Sequence, residues 1–449
     1  MIVRTIATPQ LGDRSYLITN GIIGVVVDPQ RDIDRILTLV EDDRIDVVAV
    51  LETHLHNDYV SGGLELSQRL GARYLVGGGE EASYPCESPG DGETFVFDGL
   101  TVTAKRTPGH TVGHVSYLVS SGEDSVLCTG GSMLFGTVGR TDLVSAELTE
   151  SLTSSQYHSV RRLANEVEDQ VPVLPTHGFG SFCSSASTSG VTESTVGAER
   201  QSNIACVTET EEEFVRVLLG GLAAYPTYYA HMGLINRAGM ATPFQLERPP
   251  LISPEELAAR IARGEWVVDL RARRRFADLH IVGTFNLELG TGFSTYLGWI
   301  LPWGMPLTLI ANSESEVMHA VRDLSRIGID RVGGAIYWDV AEESTLPTSS
   351  YEVARFEDLA SVGLESVKVL DVRRHDEWRA GHLRDAVHIP LHELNDRASE
   401  LDDVPVWVHC ASGFRASVAS SILDRAGKKV VYLDDDWTNA AEFDLPVIM

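Results

Sequence analysis

Cysteine is scarce in this chain: Cys86, Cys128, Cys183, Cys206 and Cys410 are odd in number, scattered, and nowhere form a Cys-x-x-Cys pair. That argues against a disulfide framework or a structural zinc ribbon as the scaffold. Long apolar runs are missing too. No stretch reaches the ~20 apolar residues of a membrane span, and Met1-Ile2-Val3-Arg4-Thr5 lacks the apolar core of a signal sequence. The expected location is the cytoplasm. Basic residues are outnumbered: 36 Lys and Arg against 64 Asp and Glu leave a formal charge of −28. Such a surface repels nucleic acid and anionic membrane, so neither is an expected partner. An anionic substrate must then be gathered by local cations. Self-association is left open.

At 449 residues the chain has room for about three domains of ~150 residues each. Its hydrophobic fraction of 43% and charged fraction of 22% are those of ordinary globular protein. β-like runs at Ser15–Thr19, Gly24–Pro29 and Val47–Leu51 are separated by polar turns, and Ile33–Val40 carries apolar residues at helical spacing. Strands alternating with helices predict layered α/β packing. The third run ends in His54-Leu55-His56-Asn57-Asp58-Tyr59. Two histidines two apart, then an aspartate, at the end of a strand can aim several side chains at one metal ion. Residues 180 to 203, rich in serine, glycine and threonine, read as loop. Glu211–Leu219 reads as a helix, and Glu247–Pro250 as a linker.

Near the C-terminus, the apolar run Val406–His409 delivers Cys410 into the loop Cys410-Ala411-Ser412-Gly413-Phe414-Arg415, and the small residues from Ala416 to Ser421 predict a helix. Inward-pointing loop amides, a helix N-terminus and the Arg415 charge would favour a thiolate and make Cys410 a nucleophile. The pattern that leads to this loop occurs twice. Trp266-Val267-Val268-Asp269-Leu270-Arg271 matches Lys368-Val369-Leu370-Asp371-Val372-Arg373, and Leu279-His280-Ile281 matches Gly381-His382-Leu383. A period near one hundred residues implies two similar domains. Aligning the strands puts Ala311 in place of Cys410 and Glu316 in place of Arg415. The first copy is expected to be inert.

Two resemblances follow. The His54–Tyr59 stretch resembles the H-x-H-x-D-H signature of the metallo-β-lactamase fold. Thr107–Thr111, Thr129–Phe135 with Gly139–Asp142, and Leu174–Gly178 resemble the later landmarks of its persulfide dioxygenase and glyoxalase II branches. Two positions depart from the pattern: the last histidine of the signature is Tyr59, and the expected metal-binding aspartate is Gly131. The second C-terminal copy resembles a rhodanese domain. Together these imply a persulfide dioxygenase–rhodanese fusion. Its fold class would be multidomain α/β, with a metallo-β-lactamase-like αββα sandwich over residues 1–245, an inactive rhodanese-like domain over 252–345 and an active one over 351–449.

The expected activity is sulfur transfer through a Cys410 persulfide, with Arg415 and the Ala411–Phe414 loop holding the outer sulfur. The partners would be a small sulfane-sulfur donor and a thiol acceptor. At the N-terminal site, His54, His56 and His110 are the expected ligands of one iron or zinc, with Asp58 and His177 nearby. A metal-free pocket, and an iron site completed by a further ligand, stay open. So do three roles for this domain: iron-dependent persulfide dioxygenase, zinc-dependent thioester hydrolase, and a non-catalytic module that binds sulfane sulfur.

Overall fold

The computed structural model describes residues 1–78, 82–185, 190–240 and 242–449. The chain forms two compact units, residues 1–245 with 325–328, and 246–324 with 329–449. In the first, a five-stranded sheet runs in chain order through Ile2–Thr8, Asp13–Thr19, Ile23–Val27, Asp46–Glu52 and Arg73–Val76. Its last two pairings are parallel, reached through the helices Asp34–Asp43 and Gly63–Leu70. A six-stranded sheet faces it, built around Leu100–Arg106, Val115–Ser121, Asp124–Gly130 and Pro172–Pro175.

The strand Ile23–Val27 is buried on both faces, and its sequence is accordingly a continuous apolar run. Ile18, Val25 and Leu51 meet Val102, Tyr117, Val119 and Cys128 between the sheets. Ile36, Val40 and Leu66 cover one outer face. Tyr157, Val160, Leu163 and Phe214 cover the other. This is the expected αββα sandwich, and its loops bring the ends of four strands to one edge.

The loop expected over residues 180–203 holds in part. Residues 186–189 lie outside the described residues, and Val196–Ser202 is a helix. The hydroxyl of Thr195 caps it by accepting from the Ala198 amide, and Val196 and Glu199 are buried beneath it. A Ser- and Gly-rich composition hid a short helix held by its cap and by tertiary contacts.

The second unit holds two parallel sheets. The first is ordered Phe285–Asn286, Trp266–Asp269, Leu307–Ala311, Val332–Tyr337; the second Glu352–Ala354, Val430–Leu433, Val406–His409, Lys368–Asp371, Val387–His388. Their registers coincide. Asp269 pairs with Asn286 and Ile310, as Asp371 pairs with His388 and His409. Ala311 and Cys410 each follow by one residue and so occupy the same place. Each copy also carries the same buried pin. Arg271 binds Asp269 and donates to the Leu279 carbonyl at 2.9 Å, and Arg373 binds Asp371 and donates to the Gly381 carbonyl at 2.8 Å.

Candidate functional site

The edge of the sandwich gathers five buried imidazoles, those of His54, His56, His110, His114 and His177. Three loops supply them, those after Asp46–Glu52, Leu100–Arg106 and Pro172–Pro175. Ring centroids of His54 lie 4.0 Å from His56, 4.7 Å from His110, 5.0 Å from His114 and 5.3 Å from His177. Candidate ligand atoms of His54, His110 and His177 lie within 4.8 Å of one another, as do those of His56, Asp58 and His177. His177 is therefore shared by both groups rather than merely near, its Nε2 being 3.3 Å from His54 Nε2. His177 Nδ1 faces Asp13 Oδ1 at 2.8 Å and Asp58 Oδ2 at 3.2 Å.

Sequence reading missed Asp13, His114, Asp28 and Glu52. His114 was findable, four residues beyond His110 in the same segment; Asp13 and Asp28 lie far from the histidines in the chain and carry no motif, and Glu52, two residues before His54, ends the strand Asp46–Glu52. Asp28 accepts from the Thr53 amide and hydroxyl at 2.7 Å each, and so fixes the residue before His54. His56 Nε2 lies 3.3 Å from both Asp28 and Glu52 and 2.9 Å from the Tyr59 hydroxyl. Tyr59 thus turns toward His56, stacked at 4.2 Å, and serves as a support in the place of the expected histidine. Asn236 ties the same loop, donating to the carbonyls of His56 and Tyr59 at 2.7 and 2.8 Å and accepting from the Ser61 amide at 2.8 Å. It also lines a cavity of about 310 Å³ with Ser61, Tyr74 and Tyr84.

Burial drives His54, His110 and His114 below the ordinary histidine range, His110 to about 3, so these rings are neutral. Neutral imidazole is the ligating form. Burial also disfavours charge on His56 and His177, but Asp28 and Glu52 outweigh it at the first, raising it to about 9, and Asp58 and Asp13 outweigh it at the second. A metal at these two rings would have to displace a proton.

The residues present fit such an ion. His56 Nδ1, His110 Nε2 and Asp58 Oδ1 are buried with no hydrogen-bond partner among the described residues, and buried polar atoms are rarely left so. Asp58 also supplies a carboxylate within 4.8 Å of two histidines. Gly131 does not leave a gap. A Cβ there would stand 2.2 Å from His110 Cδ2, so the ring fills the space beside it.

The second candidate centre lies at the C-terminal end of a parallel strand, a usual place for a site in open α/β sheets. Cys410 follows Val406–His409, and Gly413, at φ +88°, turns the chain into the helix Phe414–Arg425. That helix starts two residues before the expected run and ends four after it. A Cβ on Gly413 would collide with Asp434 Oδ1 at 2.4 Å and meet the Tyr432 hydroxyl at 2.9 Å, so the turn requires glycine.

Arg415, expected to help hold the outer sulfur, is also engaged by a carboxylate. Its guanidinium donates to Glu377 at 2.5 and 2.7 Å, a two-pronged pair at the pocket wall. Ala411, Ser412 and Gly413 form the loop, and Phe414 opens the helix. In the first copy, Glu316 folds back so that its carboxylate accepts from the Asn312 amide at 2.7 Å.

Two family models match the chain, the metallo-beta-lactamase superfamily over residues 11–178 and the rhodanese-like domain over residues 357–442. A hydroxyacylglutathione hydrolase of Acidiphilium cryptum is 35% identical over 174 residues, 38% of this chain and 67% of that protein. The mitochondrial persulfide dioxygenase ETHE1 of Bos taurus is 28% identical over 211 residues, 46% of this chain and 74% of that protein. The crystal structure of a metallo-beta-lactamase from Staphylococcus aureus aligns with a TM-score of 0.66 at 24% identity, covering 75% of this chain and 98% of its own, a likeness of fold.

Proposed function

We propose that this chain, which belongs to the metallo-β-lactamase superfamily as a persulfide dioxygenase–rhodanese fusion, is a cytoplasmic sulfurtransferase that works through a persulfide on Cys410. A role in sulfur metabolism goes with the family. The observation that carries the finer reading is Cys410 at the end of a parallel strand, before a glycine-turned loop and the N-terminus of a 12-residue helix. Amides there favour anions.

The Cys410 thiolate attacks the outer sulfur of a donor such as thiosulfate. An Sγ–S bond forms, the donor's S–S bond breaks, and its electron pair leaves on sulfite. An acceptor thiolate then attacks the terminal sulfur, leaves as a persulfide, and returns Cys410 as thiolate. Loop amides and the Arg415 cation stabilise the anionic sulfur between the two steps. Cys410→Ser should abolish transfer from thiosulfate to cyanide and the gain of one sulfur atom seen by intact-protein mass spectrometry. A variant that keeps full activity sinks the assignment.

The orphaned donor atoms favour a second reading for the sandwich. One iron or zinc would be held by His54, His110 and His177, with His56 and Asp58 at its side. When bound, zinc would supply Lewis acidity and iron would add redox chemistry. The chain's own residues position the donors: Asp13 and Asp58 orient His177, the Arg140 carbonyl accepts from His110 Nδ1 at 2.6 Å, and Asn236 holds the His56–Ser61 loop. Metal content per chain, with His54→Ala/His110→Ala as control, tests it. Oxygen uptake with a persulfide would mark a dioxygenase. Chelator-sensitive thioester hydrolysis would mark a hydrolase, and persulfide binding without turnover a binding module.

A further inference from the structure

Cys410 is only 1% exposed, and the cavity lined by Arg415, five residues on, measures about 10 Å³, room for no more than one water. A sulfur donor needs more. The walls of that cavity come from both copies of the repeat. Val372, Arg374, Leu391, His392 and Arg415 belong to the second; Tyr296, Trp299 and Ile300 lie on the helix Phe293–Ile300 of the first. Trp299 stacks on His392 at 4.8 Å with the rings 21° apart, and Tyr296 lies 5.5 Å from the ring of Phe414, the first residue of the helix after the Cys410 loop. The approach is close. Phe414 Cε1 lies 3.0 Å from where a Cβ of Gly292 would stand, so any side chain there would press on the Phe414 ring. A second bridge joins Ser417, on the loop's helix, to Asn286 Oδ1 at 2.5 Å.

We propose that Tyr296 and Trp299 of the inert copy are specificity-determining residues for the Cys410 centre, and that they select sulfur donors by size. The proposal rests on the reading of Cys410 as the sulfur carrier. An inorganic sulfane-sulfur anion enters by a small parting of Trp299 from His392. A persulfide carrying a peptide-sized organic group requires the indole to leave the wall. The first copy has lost its own nucleophile and keeps a part in the reaction by shaping its neighbour's pocket.

The test compares Trp299→Ala and His392→Ala, one from each side of the stack, in the full chain. In each, kcat/KM is measured with thiosulfate and with glutathione persulfide. The labelling rate of Cys410 is followed by mass spectrometry with iodoacetamide and with a bulky maleimide. Each variant should raise the ratio of organic to inorganic donor, and of large to small label, by about tenfold or more, the size of effect that one side chain has on pocket discrimination. If both ratios stay at the parent value in both variants, with the parent's circular dichroism retained, the proposal is overturned. The labelling arm does not depend on turnover. If Cys410→Ser kept transfer activity, it would remove the carrier reading while the labelling ratio still decided whether Trp299 closes the pocket.

Discussion

Gly131 stands where the family pattern has an aspartate, and the obvious repair, Gly131→Asp, should fail. A Cβ at this position would lie 2.2, 2.6 and 2.7 Å from His110 Cδ2, Cγ and Nε2, against ordinary carbon contacts of about 3.5–4.0 Å. The ring cannot simply withdraw. Its Nδ1 is held by the Arg140 carbonyl at 2.6 Å and its backbone amide by Gln156 Oε1 at 2.9 Å, while Gln156 Nε2 donates to the Gly131 and Ser132 carbonyls.

Overpacking of this kind costs about 1–3 kcal/mol, and breaking the His110 bond adds about 1 kcal/mol. The sum, about 2–4 kcal/mol, lowers Tm by roughly 5–15 °C for a unit of this size. The displaced His110 should also weaken metal binding. Thermal unfolding of the full chain and metal content by mass spectrometry read the two effects together. A Gly131→Asp protein that melts with the parent and carries a full equivalent of iron would refute the reasoning, because it would mean that His110 can yield the space at no cost.

Glu377→Gln tests the pair with Arg415. Burial opposes the charge on Glu377, but the bonds and cation of Arg415 outweigh it and hold the carboxyl below its usual range. A depressed carboxyl pKa contributes stability that is complete above pH ~4.5 and is lost as the pH falls through the folded value. The variant should lose about 1.5–3 kcal/mol at pH 7 and show a flatter acid limb in denaturant titrations; superimposable curves for parent and variant would count against the pair. Asn236→Ala removes three bonds from the His56–Ser61 loop and should weaken metal binding about 10–100-fold, measured by competition with a chromophoric chelator. Unchanged affinity would make Asn236 a packing residue only.

The layered sandwich and the repeat were legible because their signals are local. The buried strand Ile23–Val27 is written as one apolar run, and the two Asp-x-Arg pins recur at matching offsets from their strands. The sharing of His177 between two ligand groups was not legible, since it depends on Asp13 and Asp58 meeting that ring across 164 and 119 residues of chain. The partner of Arg415 was hidden for a similar reason. Glu377 lies on the short helix His375–Arg379, which the turn after Asp371 brings to the loop. The role of Tyr59 could not be read from type alone, because a tyrosine in place of a ligand is either a loss or a support, and only its contact with His56 decides.

The matching Asp269–Arg271 and Asp371–Arg373 pins separate the skeleton of each C-terminal copy from its chemistry. Each anchors its sheet to the turn at Leu279 or Gly381 through bonds in which the loop bearing Ala311 or Cys410 takes no part. The six residues of that loop are therefore an exchangeable cassette, free to be armed or disarmed while the surrounding framework keeps its shape. One copy carries Cys410 there; the other carries Ala311 and turns the Glu316 carboxylate onto its own Asn312 amide.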